Sequence, residues 1–351
     1  MLIYLLSFSL TLLITKIYLT YKKKHQNNFK SKKVIDLLFM LAIIFPFWFI
    51  SAFRYNVGTD YLYTYVKYYE HTKIGWLPYK TEPLFQLINS ILVWFNLDVV
   101  WLFIITSFVI LFFIFIIIFK CSENIYLSII IFFVSGTFFN TLNNVRQYMS
   151  LAIAYYGLLC SKNKRGILWI IVASLIHTSS IVLIIPFFLK NNRLNRKKYL
   201  YINIFGIVFS PLICMIMRLL LLKTKYSYFF AGTVGGYSLL VILLNIFISF
   251  LIYIYYDNNS NMCSFLAIMQ TFTLIFCVCS MIIQNEEFWM RVIRIFCMGQ
   301  FLLIPSLIKA KRSILDKAFI CFGSFAAFFV YSFYTIYLMG GLEVFPYRFI
   351  F

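Results

Sequence analysis

Five arginines stand out by position: Arg54, Arg146, Arg291, Arg294 and Arg348 fall at or near the ends of apolar runs rather than in the lysine-rich loops. A guanidinium partly sunk in an apolar setting needs an anion or a carbonyl as partner. Singly, each reads as a helix-end side chain reaching for the interface, or as half of an ion pair. Five together point to an anionic ligand, which arginine grips with two parallel hydrogen bonds. Asn143, Arg146 and Gln147 follow i, i+3, i+4 spacing and would share one helix face, which Ser150 and Ala154 extend with small side chains. Interhelical hydrogen bonding is the plainer reading of that face; density of polar groups at membrane depth favours a functional one. Glu287, Arg291 and Arg294 follow i, i+4, i+7 spacing. Glu287 and Arg291 suit a helix ion pair, Arg294 is the better ligand candidate, and Glu286 points elsewhere.

Three groups could move a proton. Asp60 lies across a glycine turn from Arg54 in Arg54-Tyr55-Asn56-Val57-Gly58-Thr59-Asp60-Tyr61. It reads either as a base with a raised pKa or as half of a loop-ordering salt bridge. His177 sits with Thr178, Ser179 and Ser180 in the polar break of an apolar run, and reads as a structural hydrogen-bonding residue or as a catalyst. Glu286 is the third option. No GxxxxGK[ST], GxGxxG, HExxH or CxxC occurs, and the eight cysteines are scattered, so neither a metal nor a cofactor is expected. Without a phosphate-binding loop, any bond-forming work must use a pre-activated, lipid-carried substrate.

The elements that must position these groups follow from composition. Of 351 residues, 63% are apolar and 12% charged, with a net charge of +20. Too little polar surface remains to cover a water-soluble globule, which excludes soluble α/β enzymes and disordered tails. The basic residues cluster in short loops, the pattern of a polytopic membrane protein rather than of a nucleic-acid binder. The expected fold is all-α, with about ten transmembrane helices near 1–20, 34–53, 99–119, 124–141, 145–160, 199–222, 237–256, 264–283, 289–308 and 314–338. Lysines of loop 21–33, Lys120, the cluster 162–165 and the cluster 309–312 place those loops inside. The first span then reads as a signal anchor, and the polar motifs fall at the outer face. Segment 166–189 has basic flanks that both read as inside, so a re-entrant helical hairpin turning at 176–180 is expected, with a single tilted span as the alternative. The largest outer segment, 54–98, is rich in aromatic residues. Tyr61, Tyr63, Tyr65 and Trp76 offer flat surfaces there, and Pro83 starts an interfacial helix. No repeat or linker interrupts the chain, so one domain over 1–351 is expected.

Three segments carry a resemblance: Arg54-Tyr55-Asn56-Val57-Gly58-Thr59-Asp60-Tyr61-Leu62-Tyr63, Asn143-Asn144-Val145-Arg146-Gln147-Tyr148-Met149-Ser150-Leu151-Ala152 and Ala173-Ser174-Leu175-Ile176-His177-Thr178-Ser179-Ser180. In order and placement they resemble the EpsG-like family of exopolysaccharide and O-antigen polymerases. Arg291-Val292-Ile293-Arg294 and Pro346-Tyr347-Arg348-Phe349 resemble it more loosely. The resemblance implies a Wzy-type polymerase joining repeat units carried on undecaprenyl diphosphate, at the outer face of the bacterial cytoplasmic membrane. It also implies a fold related to metal-independent, lipid-dependent glycosyltransferases of the GT-C class. On that reading Arg146 and Arg294, then Arg291 and Arg54, contact the diphosphate; Asp60, His177 or Glu286 takes the hydroxyl proton; Asn143, Gln147, Tyr61 and Tyr63 meet sugar. The expected partners are the lipid-linked oligosaccharides, membrane lipids and a chain-length regulator.

Other classes make different expectations. A flippase of lipid-linked sugars would show paired broken helices in two halves, where the sequence suggests one broken segment. A membrane acyltransferase would place its histidine toward the cytoplasm. An O-antigen ligase shares the chemistry and the residue types.

Overall fold

The computed structural model describes all residues except 26–31, 80, 162–163, 223–226, 228–237, 259 and 310–312. Lys30, Lys162, Lys311 and Arg312, part of the orientation argument, lie outside the described residues. Among those described, the regular elements are helices, joined by one isolated β-bridge between Arg54 and Phe349. The chain is an all-α polytopic membrane protein. Five helices are long and apolar enough to cross a membrane, or up to eight when each bent pair is taken as one span. The five are Leu2–Lys24, Lys33–Ala52, Val100–Cys121, Asn261–Ile282 and Ile314–Leu338. The bent pairs are Ile125–Val134 with Thr137–Asn143 (56°), Arg196–Val208 with Ser210–Leu221 (58°) and Glu286–Cys297 with Gln300–Lys309 (41°). Val145–Leu159 and Leu239–Tyr255, at 15 and 17 residues, are the shorter counterparts of the remaining two expected spans.

Helix Leu2–Lys24 shows how the sequence solves burial in lipid. Leu6, Leu10, Leu13 and Ile17, one helical face, are exposed, whereas Tyr4, Ser7, Thr11, Thr15 and Tyr18 on the other are buried. The polar face turns inward, the reverse of a soluble helix, because lipid tails accept leucine and offer nothing to a hydroxyl.

Contacts group the residues into two compact units: Met1–Ile184 with Ser332–Phe351, and Ile185–Tyr331. In the first unit, Phe47 packs on Phe115, Phe132, Phe133 and Phe138 with centroids 4.6–6.5 Å apart. Helices Val145–Leu159 and Arg165–Ile176 lie against each other, and Gly157 permits their closeness. A Cβ there would stand 2.5 Å from the Trp169 Cβ and 2.8 Å from the Gly166 carbonyl oxygen. Gly157→Val should therefore cost about 1–3 kcal/mol by overpacking, read as a lowered thermal midpoint in detergent; an unchanged midpoint would contradict the close approach. In the second unit a closed amide network ties three helices. Gln270 Nε2 donates to Asn245 Oδ1 (3.1 Å), and Gln300 Nε2 donates to Asn245 Oδ1 and Gln270 Oε1 (2.9 Å each). Where lipid is as apolar as leucine, such bonds and close packing hold helices together.

Two expected features differ in detail. Asn143, Arg146 and Gln147 do not share a continuous helix. Asn144 (φ −93°, ψ 55°) separates Thr137–Asn143 from Val145–Leu159, because its backbone leaves the helical region. Broken helices are also more numerous than the one expected, for three bent pairs occur. Segment 166–189 breaks within the expected stretch: helix Arg165–Ile176 ends at an extended His177 (φ −150°, ψ 116°), followed by a 3-10 turn over Thr178–Leu183.

Candidate active site

Glu82 precedes helix Pro83–Trp94, whose first position is proline. A residue before proline is pushed out of helical conformation, so Glu82 (φ −131°, ψ 67°) stands clear of the helix it starts. It is 4% exposed, and it and Arg54 are the only charged residues in the buried class among those described. A lone buried carboxylate is costly unless paired. Glu82 is paired twice: Oε2 lies 2.5 Å from Arg146 Nη1 and Oε1 lies 2.6 Å from His177 Nδ1.

Local structure delivers each partner. The kink at Asn144 puts Arg146 in the first turn of helix Val145–Leu159. A cation there faces the positive end of the helix dipole, which the Glu82 charge offsets. The Arg146 backbone N–H donates to the buried Tyr65 hydroxyl (3.4 Å), and its guanidinium lies 4.7 Å from the Tyr79 ring centre. One turn on, the Ser150 hydroxyl donates to the His177 carbonyl (3.4 Å), which also accepts from the Ser180 hydroxyl (3.0 Å). The small-residue face thus grips the break that carries the histidine. Arg146 Nε, the Tyr79 hydroxyl and the Ser179 hydroxyl are buried with no hydrogen-bond partner among the described residues.

Burial pushes the Glu82 carboxyl up, but the hydrogen bonds and charges of His177 and Arg146 together outweigh it and leave the pKa at about 2. Glu82 is therefore an anion throughout the physiological range and too weak a base to take a hydroxyl proton. Its part is to hold its two partners. Burial also lifts the Tyr65 phenol to about 12. A carboxylate accepting at Nδ1 leaves Nε2 as the histidine's proton acceptor, the tautomer a general base requires.

The other candidates are placed differently. Arg54 is 2% exposed; it donates to the Ser51 and Leu142 carbonyls and packs 4.5 Å from the Phe103 ring centre. Through these bonds it ties the turn at 54–60 to the helices. Asn143 Oδ1 accepts from the Thr59 hydroxyl (2.8 Å) and the Asp60 N–H (3.0 Å), which commits its oxygen to the same turn. Gly58, at φ +100°, passes Asn143 so closely that a Cβ would meet Oδ1 at 3.3 Å. Asp60 begins the π-helical turn Tyr61–Val66 and accepts from the Thr64 hydroxyl. Tyr61 is buried, stacked on Phe103 at 4.5 Å, and Gln147 is buried. Tyr63 is exposed. The tail closes on this turn: the Tyr55 N–H donates to the Arg348 carbonyl (2.9 Å) and the Gly58 N–H to Glu343 (3.1 Å). Glu286, Arg291 and Arg294 lie on helix Glu286–Cys297 of the second unit. Arg291 pairs with Glu287 at the surface as its spacing implied, Glu286 is exposed and Arg294 is half-buried.

Sequence reasoning missed Glu82. Its signal was a carboxylate set immediately before Pro83 in an aromatic-rich segment of a chain whose arginines far from the lysine-rich loops needed a counter-charge.

The fold is thus a membrane-embedded helical scaffold that sinks one carboxylate between a guanidinium and an imidazole. The chain belongs to the EpsG family, whose family model matches residues 37–349. Membership supports a polysaccharide polymerase-like role in general terms. No curated protein and no solved structure matches the chain.

Proposed function

We propose that this protein is a polysaccharide polymerase that joins oligosaccharide repeat units carried on undecaprenyl diphosphate, at the outer face of the bacterial cytoplasmic membrane. The observation that carries the reading is the Glu82 carboxylate bound at once to Arg146 and His177. In this mechanism His177 Nε2 takes the proton of the acceptor hydroxyl as its oxygen attacks the anomeric carbon of the donor. The bond from that carbon to the diphosphate oxygen breaks, and its electron pair leaves with the polyprenyl diphosphate. Arg146 stabilises the charge that develops there, the role of a preorganised phosphate clamp. Glu82 fixes the histidine tautomer and holds both partners in place. No metal or cofactor takes part in this scheme.

A transporter reading gains one observation, since bent helix pairs occur in both units. Deleting the gene and complementing it separates the readings. A polymerase leaves single repeat units at the surface; a flippase leaves inward-facing lipid-linked intermediates; a ligase leaves long polymer on its lipid. The same assay identifies the base. His177→Ala is expected to lose elongation by roughly 10²–10⁴-fold, whereas Asp60→Asn and Glu286→Gln elongate. Elongation by His177→Ala at the wild-type rate would refute the assignment.

A further inference from the structure

An aromatic chain leads away from the Arg146 guanidinium. The Tyr79 ring under it is followed by Tyr68 (5.3 Å between centroids), then His71 (5.9 Å), then Trp76, 4.4 Å from His71. The chain runs from buried to open: Tyr79 is 3% exposed, Tyr68 and His71 are half-buried, and Trp76 is 49% exposed.

The tryptophan is held by the backbone. Helix Lys67–Lys73 ends with the Trp76 N–H donating to the His71 carbonyl (3.0 Å) and the Gly75 N–H to the Thr72 carbonyl (3.1 Å), with Gly75 at φ +82°. These are the paired bonds of a Schellman cap, which needs a left-handed residue and seats the next side chain back on the helix. Ordering an open indole costs side-chain entropy, and here the cap meets that cost before any ligand arrives.

Two polar atoms along the chain, His71 Nδ1 and the Tyr79 hydroxyl, are buried without a hydrogen-bond partner among the described residues. Trp94 and Phe95, exposed at the far end of helix Pro83–Trp94, show the contrasting case of an apolar pair. Flat apolar faces beside unmet donors and acceptors match a sugar ring, whose C–H face stacks on an indole while its hydroxyls bond at the edge.

We propose that Tyr68, His71 and Trp76 form a carbohydrate subsite that holds a sugar ring of the substrate oligosaccharide away from the bond being made, with Tyr79 linking it to Arg146. The proposal rests on the polymerase reading and specifies where the oligosaccharide lies. The subsite binds without touching the reacting atoms, so it acts on substrate affinity and on retention of the growing chain.

The test uses the full protein in membranes, with lipid-linked repeat units extracted from a strain lacking the gene as the probe. Trp76→Ala is expected to raise KM roughly tenfold, leave kcat within about twofold, and shift the polymer to shorter chains; Trp76→Phe should restore both. Gly75→Ala, which keeps every side chain of the subsite but strains the cap, should move KM in the same direction by less. A Trp76→Ala protein with wild-type KM and chain length overturns the subsite. So does one whose only defect is a lower amount in the membrane, the result an interface anchor gives. Failure of the underlying reading looks different: Arg146→Ala would then still make long polymer, and the subsite would fall with it.

Discussion

Arg146→Ala is expected to abolish elongation while the protein still inserts, so that gels of surface polysaccharide show single repeat units. The departing diphosphate gathers negative charge in a site of low dielectric, where a fixed donor is worth far more than in water. Loss of one preorganised donor of this kind costs roughly 10²–10³ in rate. Arg146→Lys keeps the charge but not the planar fork, and should fall between. Truncation also strands part of the Glu82 charge, a defect worth about 3–5 kcal/mol when a buried pair is broken. The double variant Arg146→Ala with Glu82→Gln removes that charge. If it accumulates to wild-type levels and is still inactive, the loss belongs to the chemistry of the Arg146–Glu82–His177 bridge rather than to folding, and the single Arg146→Lys variant, which keeps the pairing charge, isolates the arginine's own share. Normal long chains from a well-inserted Arg146→Ala protein would sink the assignment.

Glu82→Gln is expected to be nearly as damaging, with elongation reduced on the order of 10²-fold or more, although the side chain keeps its shape. The amide no longer neutralises Arg146, and it no longer dictates which histidine nitrogen carries the proton. Acid sensitivity reports the same carboxylate. Its folded pKa of about 2 lies below the ordinary 4.5, so the unfolded chain binds more protons between those values. The stability it contributes is therefore complete above about pH 4.5 and is lost as pH falls toward 2. Thermal midpoints of wild type should hold steady on this account from neutral pH down to that limit, then decline. In Glu82→Gln that portion of the acid decline should be missing. A variant with an unaltered acid limb and wild-type elongation would show that the bridge has neither role.

Much of the scaffold was legible locally. Each of the ten expected spans has a helical counterpart, because hydropathy over some twenty residues is a property of a short window. Pro83 begins its helix, and the break near His177 falls within the expected polar stretch, again for local reasons. Arg54 was readable as a residue that orders its own loop and Asn143 as one that bonds between helices, but not the partners through which they hold the turn at 54–60. Their partners, the Leu142 carbonyl and the Thr59 hydroxyl, are 88 and 84 residues away in the chain. The shared face of Asn143 and Arg146 assumed an unbroken helix, and one backbone pair of angles at Asn144 undid it.

From the sequence by itself came the class: a chain this apolar and this basic must live among lipid, with Arg146 and His177 in polar stretches that interrupt its apolar runs. Tertiary structure alone decided which carboxylate they would share. Glu82 is 64 residues from Arg146 and 95 from His177, and 11 acidic residues stand against 31 basic ones, so charge and spacing leave many pairings open. Helix packing selects one of them, because burying a carboxylate is tolerable only where the fold brings cation and imidazole to it together.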